Sequence, residues 1–253
     1  MSVCSLTCAL GFLSKEEPPR WPGHHLHGAL FARLREVSPE AAELAHSLEP
    51  RPFSLSGLYR EGAHTGLRCS GLLEPVSDAI SEAIRAGEEM EIGSSRVRVL
   101  SVEKRETTYE ELYERFVPQD DVYGRISLRF LSPTTFRVRK ANMPFPLPRL
   151  LWRSWAARWN AFSEIQLGGF EEWAEEFIVP AGFRMRSRVA KAGGATLVGV
   201  VGECEYRVLR PDSLEARVAA MLAEYAGYCG TGQKTTMGMG STESTGTWAG
   251  RST

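Results

Sequence analysis

Nowhere in its 253 residues does the chain run through the ~18–20 successive apolar positions that a bilayer-spanning helix requires, so an integral membrane protein is excluded and a soluble chain is expected. Cysteine is scarce. Cys4, Cys8, Cys69, Cys204 and Cys229 make an odd set without any Cys-x-x-Cys spacing, which argues against a zinc ribbon and against a disulfide framework. Reduced thiols in a cytoplasmic protein are the simplest account. The apolar start, residues 1–13, lacks the basic segment of a secretion signal. Net charge is nearly absent as well: 30 basic against 31 acidic side chains leave −1, with no bulk sign of a nucleic-acid partner. What the chain does have is 43% apolar residues and 9% aromatics, which excludes disorder and allows one or two globular domains.

The small total conceals an asymmetry. Residues 1–120 hold 13 basic and 19 acidic side chains, a balance of −6, whereas residues 121–253 hold 17 and 12, a balance of +5. Between 121 and 160, Arg125, Arg129, Arg137, Arg139, Lys140, Arg149, Arg153 and Arg158 are opposed only by Asp121. An anionic partner for the second half becomes plausible at this scale.

Hydrophobic spacing supplies the element order. Cys4, Leu6, Cys8, Leu10 and Phe12 alternate with smaller or polar residues and predict a strand over 2–12. Leu26, Leu30, Leu34 and Val37 predict a helix over 24–37. Ser38-Pro39-Glu40 then supplies a cap, a first-turn proline and a first-turn acid for a second helix ending near Ser47. Strands near 53–59, 67–73 and 96–104 surround a helix over 75–86. In the second half, a strand over 125–131 ends at Ser132-Pro133. A helix over 148–162 carries Leu151, Trp155, Trp159 and Phe162 on one stripe. Strands near 183–190 and 196–208 join through Gly193-Gly194, and a helix over 212–225 aligns Leu214, Val218, Leu222 and Tyr225. The order reads as two β-α-β-β-α-β units in tandem, an α+β chain of two ferredoxin-like domains. The expected division is 1–120, 121–243 and a flexible tail over 244–253.

Three features could carry chemistry. The stretch from Gly227 to Gly240 is rich in glycine and contains Lys234, Thr235 and Thr236, a composition suited to a phosphate-binding nest. A nucleotide P-loop does not fit, because Gln233 separates Gly232 from Lys234 and a helix precedes the loop instead of following it. A flexible glycine-rich terminus is the plain alternative. Arg184, Arg186 and Arg188 share one face of a strand and repel each other unless an anion lies across them, or unless Glu171, Glu172, Glu175 or Glu176 pairs with them. All five histidines lie in the first half. His24 and His27 share a helix face, and antiparallel packing of the next helix brings His46 toward them. No third ligand has metal-binding spacing, whereas two imidazoles with ordinary pKa values of about 6.5 suit proton transfer near neutrality.

The tail Gly230-Thr231-Gly232-Gln233-Lys234-Thr235-Thr236-Met237-Gly238-Met239-Gly240 resembles the glycine-rich loop of the CRISPR-associated RAMP endoribonucleases that process CRISPR repeat RNA. Residues 23–31, Ser38 through His46 with Arg51-Pro52-Phe53-Ser54-Leu55-Ser56, and Phe130 through Arg137 resemble that family's first helix, its second helix with the next strand, and the strand opening its second domain. The resemblance implies tandem ferredoxin-like domains and cleavage of a precursor transcript without metal or other cofactor. In that reaction a ribose 2′-hydroxyl attacks the adjacent phosphate, leaving a 2′,3′-cyclic phosphate and a 5′-hydroxyl. It implies His46 and His27 as the proton-transfer pair, with His24 near a position where some members carry a tyrosine. Lys234 and the loop residues Gly230, Gly232, Gln233, Thr235, Thr236, Gly238 and Gly240 would bind RNA, and Arg51 would hold a phosphate. The strand arginines would track the repeat stem, a reading that rests on charge alone. The implied partners are repeat RNA and its crRNA product, with other CRISPR effector subunits or a second copy of the chain as further candidates and no membrane. The competing reading is a non-catalytic RAMP subunit that binds guide RNA in an effector complex.

Overall fold

A computed structural model describes residues 2–13, 23–61, 64–192 and 194–249. In chain order its elements are β1 (Ser2–Phe12), α1 (Gly23–Val37), α2 (Pro39–Ser47), β2 (Phe53–Leu55), β3 (Tyr59–Glu61), β4 (His64–Gly71), α3 (Glu74–Ala83), β5 (Glu89–Ile92) and β6 (Ser95–Thr108). There follow α4 (Tyr109–Phe116), β7 (Tyr123–Thr134), β8 (Phe136–Val138), β9 (Ala141–Met143), α5 (Pro148–Phe162), α6 (Phe170–Phe177), β10 (Ile178–Ala192), β11 (Ala195–Val208), α7 (Leu214–Cys229) and β12 (Thr242–Ala249).

The strands form two antiparallel sheets, ordered β2-β4-β1-β6-β5 and β10-β11-β7-β12, with β3 paired to β4 and a separate β8-β9 hairpin. In each sheet the first strand lies centrally between the third and fourth strands of its unit, the arrangement of a ferredoxin-like fold. Among the described residues no helix is long and apolar enough to cross a membrane. All five cysteines are free and buried.

The alternation in β1 does point Leu6, Cys8 and Leu10 into a core shared with α1 and α3, and buried Cys4 reaches the Ser77 carbonyl of α3 at 3.5 Å. Its other face is covered too. Val3 and Ser5 are buried, Ser70 Oγ donates to Ser5 Oγ at 2.9 Å, and Ser54 Oγ donates to the carbonyl of Tyr228 on α7 at 2.6 Å. Helix α7 is apolar nearly all round, and that is the pattern of a helix with packing partners on several sides. It packs against β7 and β12 of one sheet and against β1, β2 and β4 of the other. Tyr225 OH and Tyr109 OH lie 3.1 Å apart, and Tyr109 donates to the Leu72 carbonyl, so the polar ends of this buried layer are satisfied.

Several sequence expectations need correction. The segment from 244 is not a flexible tail: residues 242–249 pair with β7 and complete the second sheet, while 250–253 lie outside the described residues. Ser132-Pro133 does not end β7, which runs to Thr134. Proline's missing N–H falls where the β7–β11 register shifts, so no ladder bond is lost there. Leu214 opens α7 but is exposed, and the turn expected at Gly193-Gly194 has Gly193 outside the described residues. Helices α4 and α6, strand β5 and the β8–β9 hairpin are additional. Glu171, Glu172 and Glu175 sit on α6 and face Arg149 of α5, not the arginines of β10.

Candidate active site

Helix α2 starts as its sequence dictates, with Ser38 Oγ accepting from the Ala41 N–H at 3.2 Å and Pro39 in the first turn. Ser38 is the single residue between α1 and α2, so the second helix packs back on the first. This brings His46, in the last turn of α2, near the ring of Phe31, with centroids 6.0 Å apart. Phe31 in turn stacks on His27 at 4.6 Å. The two imidazoles line one cavity of about 360 Å³ together with Arg51, Lys234, Thr235 and Thr236. His24 does not line it. That side chain is exposed and meets the neighbouring His25 edge-on at 6.1 Å.

The wall opposite the histidines is the glycine-rich loop between α7 and β12. Gly23, the first residue of α1, abuts it so closely that a Cβ there would lie 2.0 Å from the Met237 carbonyl oxygen. Gly240 has φ of +71° and would place a Cβ 2.1 Å from the Thr231 carbonyl, so neither position accepts a side chain. The N–H groups of Thr231, Gly232, Gln233, Met237, Met239 and Gly240 all donate within the protein. The glycines among these shape the loop, and Lys234, Thr235 and Thr236 line the cavity.

His27 is tied to this loop through Nδ1, 3.2 Å from the Thr236 carbonyl oxygen. A carbonyl only accepts, so Nδ1 carries the hydrogen, and in the neutral ring Nε2 keeps its lone pair. Burial lowers the His27 pKa. Nearby His24, Arg51 and His46 push in the same direction, against the opposing effect of the Thr236 hydrogen bond. The result is a neutral, oriented imidazole. Arg51 contacts Glu49 at 3.2 Å through Nε, while one of its terminal nitrogens is buried without a hydrogen-bond partner among the described residues. An unmatched buried guanidinium nitrogen is costly, and in a cavity it marks a place for an anion. Among the described residues no group of three His, Cys, Asp or Glu side chains could hold a metal ion.

Sequence reasoning counted Arg158 only as part of a basic run, yet it holds the loop. It donates to the carbonyl and hydroxyl of Ser154 at 3.0 and 2.8 Å, to the Gly232 carbonyl at 2.9 Å and to Thr235 Oγ1 at 3.2 Å. The signal was its place three residues after Trp155 and one before Trp159, beside the buried stripe of α5. Trp155 Nε1 likewise donates to Thr231 Oγ1 at 2.9 Å.

Arg184, Arg186 and Arg188 line a second, separate cavity of about 430 Å³ with Arg129, against the single carboxylate Glu203. Glu203 bridges to Arg129 at 2.8 Å. On the same face the tip of β10–β11, through Ala190, Ala192 and Leu197, packs on Met239 of the glycine-rich loop, so the arginine face leads toward the histidine cavity.

A family model for the CRISPR-associated endoribonuclease Cas6 matches residues 128–242. The chain is 24% identical over 225 residues to the CRISPR-associated endoribonuclease Cas6 of Mycobacterium tuberculosis, covering 86% of this chain and 70% of that protein. Among solved structures, a product complex of Cas6 TTHA0078 superposes with a TM-score of 0.81 at 28% identity, covering 97% of this chain and 100% of that one. A product complex of the Thermus thermophilus Cas6 TTHB231 gives 0.79 at 30% identity, covering 96% and 98%.

Proposed function

Given that the chain belongs to the Cas6 family of CRISPR-associated endoribonucleases, we propose that it cleaves precursor CRISPR RNA within the repeats, without a metal ion, in the cavity between α1, α2 and the glycine-rich loop. The observation that carries this reading is the His27–Thr236 hydrogen bond, which leaves a neutral Nε2 free to act as a base in a cavity shared with His46, Arg51 and Lys234. His27 Nε2 takes the proton of the ribose 2′-hydroxyl as its oxygen bonds to the adjacent phosphorus. The bond from phosphorus to the 5′-oxygen breaks, and His46 supplies the proton to that oxygen. The products are a 2′,3′-cyclic phosphate and a 5′-hydroxyl. Arg51 and Lys234 stabilise the negative charge that builds on the phosphoryl oxygens.

The test is single-turnover incubation of the full chain with a repeat transcript in excess EDTA. Cleavage at one position is expected, and a single 2′-deoxy substitution just upstream of that position should abolish it. Loss of cleavage in EDTA would remove the metal-free mechanism. Tight binding with no cleavage in any buffer would instead favour a guide-RNA-binding subunit.

The arginines of β10 take the flanking RNA backbone in this reading. Replacing Arg184, Arg186 and Arg188 together by Ala should weaken binding and flatten the slope of log affinity against log salt by roughly 0.7–0.9 for each phosphate that the variant no longer neutralises. Titrations at four or five salt concentrations read this directly, and an unchanged slope would detach the strand from RNA binding.

A further inference from the structure

Beside the histidine cavity lies another, of about 270 Å³, which no step of the cleavage chemistry uses. The two share Pro50 and Arg158 as a common wall. All four hydrogen bonds of Arg158 go to Ser154, Gly232 and Thr235, so this side chain is a partition and not a free ligand-binding cation. The apolar part of the lining is Pro50, Phe136, Leu150 and Ala157, with Phe136 buried at its base and Ala157 exposed at its edge. Its rim is cationic, from Arg137 and Arg153, with no carboxylate among the described lining residues. Among the described residues Arg153 makes only a long ion contact, 3.6 Å to Glu171. Gln233 completes the rim and donates one amide hydrogen to Asn142 Oδ1 at 2.8 Å, so that its oxygen and second hydrogen remain for another partner.

An apolar slot with an amide edge and a positive mouth matches a single nucleotide: a base to bury, polar base edges to read and a phosphate to neutralise. The volume falls just below the roughly 300–1,000 Å³ of pockets for drug-sized ligands, which suits one base and excludes a duplex. Because the slot adjoins the histidine cavity across one side chain, its occupant belongs to the strand being cleaved. We infer that this cavity is a base-binding subsite for an unpaired nucleotide next to the scissile phosphate, held by Phe136, Leu150 and Ala157 with Arg137, Arg153 and Gln233 at the rim. The subsite rests on the cleavage reading of the neighbouring cavity and adds to it a specificity determinant: RNA must present a flipped-out base there, so a fully stacked repeat would be a poor substrate.

The experiment uses full-length protein and a repeat RNA made uncleavable by one 2′-deoxyribose at the cleaved position. Abasic nucleotides are walked through the three positions on each side, and affinity is measured for the wild type and for Ala157→Trp, which fills the slot from an exposed position of α5. For the wild type, one flanking abasic position should weaken binding roughly 10-fold, the order expected when one base no longer stacks. For Ala157→Trp, the intact RNA should be weakened by a similar factor and the abasic penalty at that position should vanish. Gln233→Ala, a smaller change, should reduce the same penalty without filling the slot. An abasic penalty equal in wild type and Ala157→Trp, or none at any flanking position, overturns the subsite. Failure of the unmodified repeat to be cleaved at all is a separate outcome that counts against the cleavage reading, since the subsite is scored by binding.

Discussion

His27→Ala should slow single-turnover cleavage of a repeat transcript by roughly 10²–10⁴-fold, the usual contribution of a positioned general base, while affinity for uncleavable RNA stays close to wild type. The substitution also removes a ring packed on Phe31 and Phe53, so a second variant is needed. His27→Asn keeps a donor near the Nδ1 position for the Thr236 carbonyl and removes the base. Equal loss in both variants assigns the effect to proton transfer, whereas recovery in His27→Asn would make His27 a structural residue.

The pH dependence has a definite sign. Burial holds the His27 pKa below its ordinary value, so the base stays unprotonated, and the acid limb of the rate profile should lie below about pH 6.5. Folding linkage follows from the same shift. Above the ordinary value both folded and unfolded states are neutral at this site. As pH falls from there through the lowered folded value, the unfolded chain binds a proton that folded His27 refuses, and stability declines. His27→Asn should lose that component of the acid destabilisation, which urea denaturation at several pH values would read. An acid limb above pH 6.5 would contradict the geometry.

Trp155→Ala carries the largest expected effect on stability. The side chain is fully buried, meets Trp152 at 5.2 Å between centroids and gives its N–H to Thr231 at the root of the glycine-rich loop. Truncation of such an aromatic removes roughly 3–5 kcal/mol, which for a chain of this length lowers Tm by on the order of 10 °C. Trp155→Phe retains most of the packing and leaves the buried Thr231 hydroxyl without its donor, a loss of about 1–3 kcal/mol. The loop also forms one wall of the histidine cavity, so under the proposed mechanism both variants should cleave more slowly than wild type even well below their melting points. Thermal unfolding and single-turnover rates measured side by side provide the check. A Trp155→Ala protein with wild-type Tm would show that the loop is anchored by other residues.

Much of the scaffold was readable because its signals are local. A cap such as Ser38 and a first-turn proline such as Pro39 act within four residues, and the stripe Leu151, Trp155, Trp159 and Phe162 repeats with the helical period. The unreadable parts depend on distant partners. Strand β12 is mostly polar and looks like a tail, since what holds it is a backbone ladder to β7 and an ion pair from Glu243 to Arg68 of the other sheet. Nothing local marks Ser5, Ser54 and Ser70 as buried, yet they lie on the face that packs against α7, and they are satisfied by one another and by the Tyr228 carbonyl.

The candidate site divides in the same way. His27 and His46 were visible as residues of two adjacent helices, and the resemblance of the loop pointed to its lysine and threonines. By itself the amino-acid order determined the types of the strongly periodic elements, the capped turn between α1 and α2 and the charge asymmetry of the halves, because these follow from spacing and composition along the chain. Only the tertiary structure decided that a carbonyl 209 residues downstream orients His27 and that Arg158 turns inward to hold the loop. It also decided that His24 stands outside the cavity. A backbone carbonyl is the same atom at every position and leaves no mark in the sequence, so its partner is known only once the chain has folded back on itself.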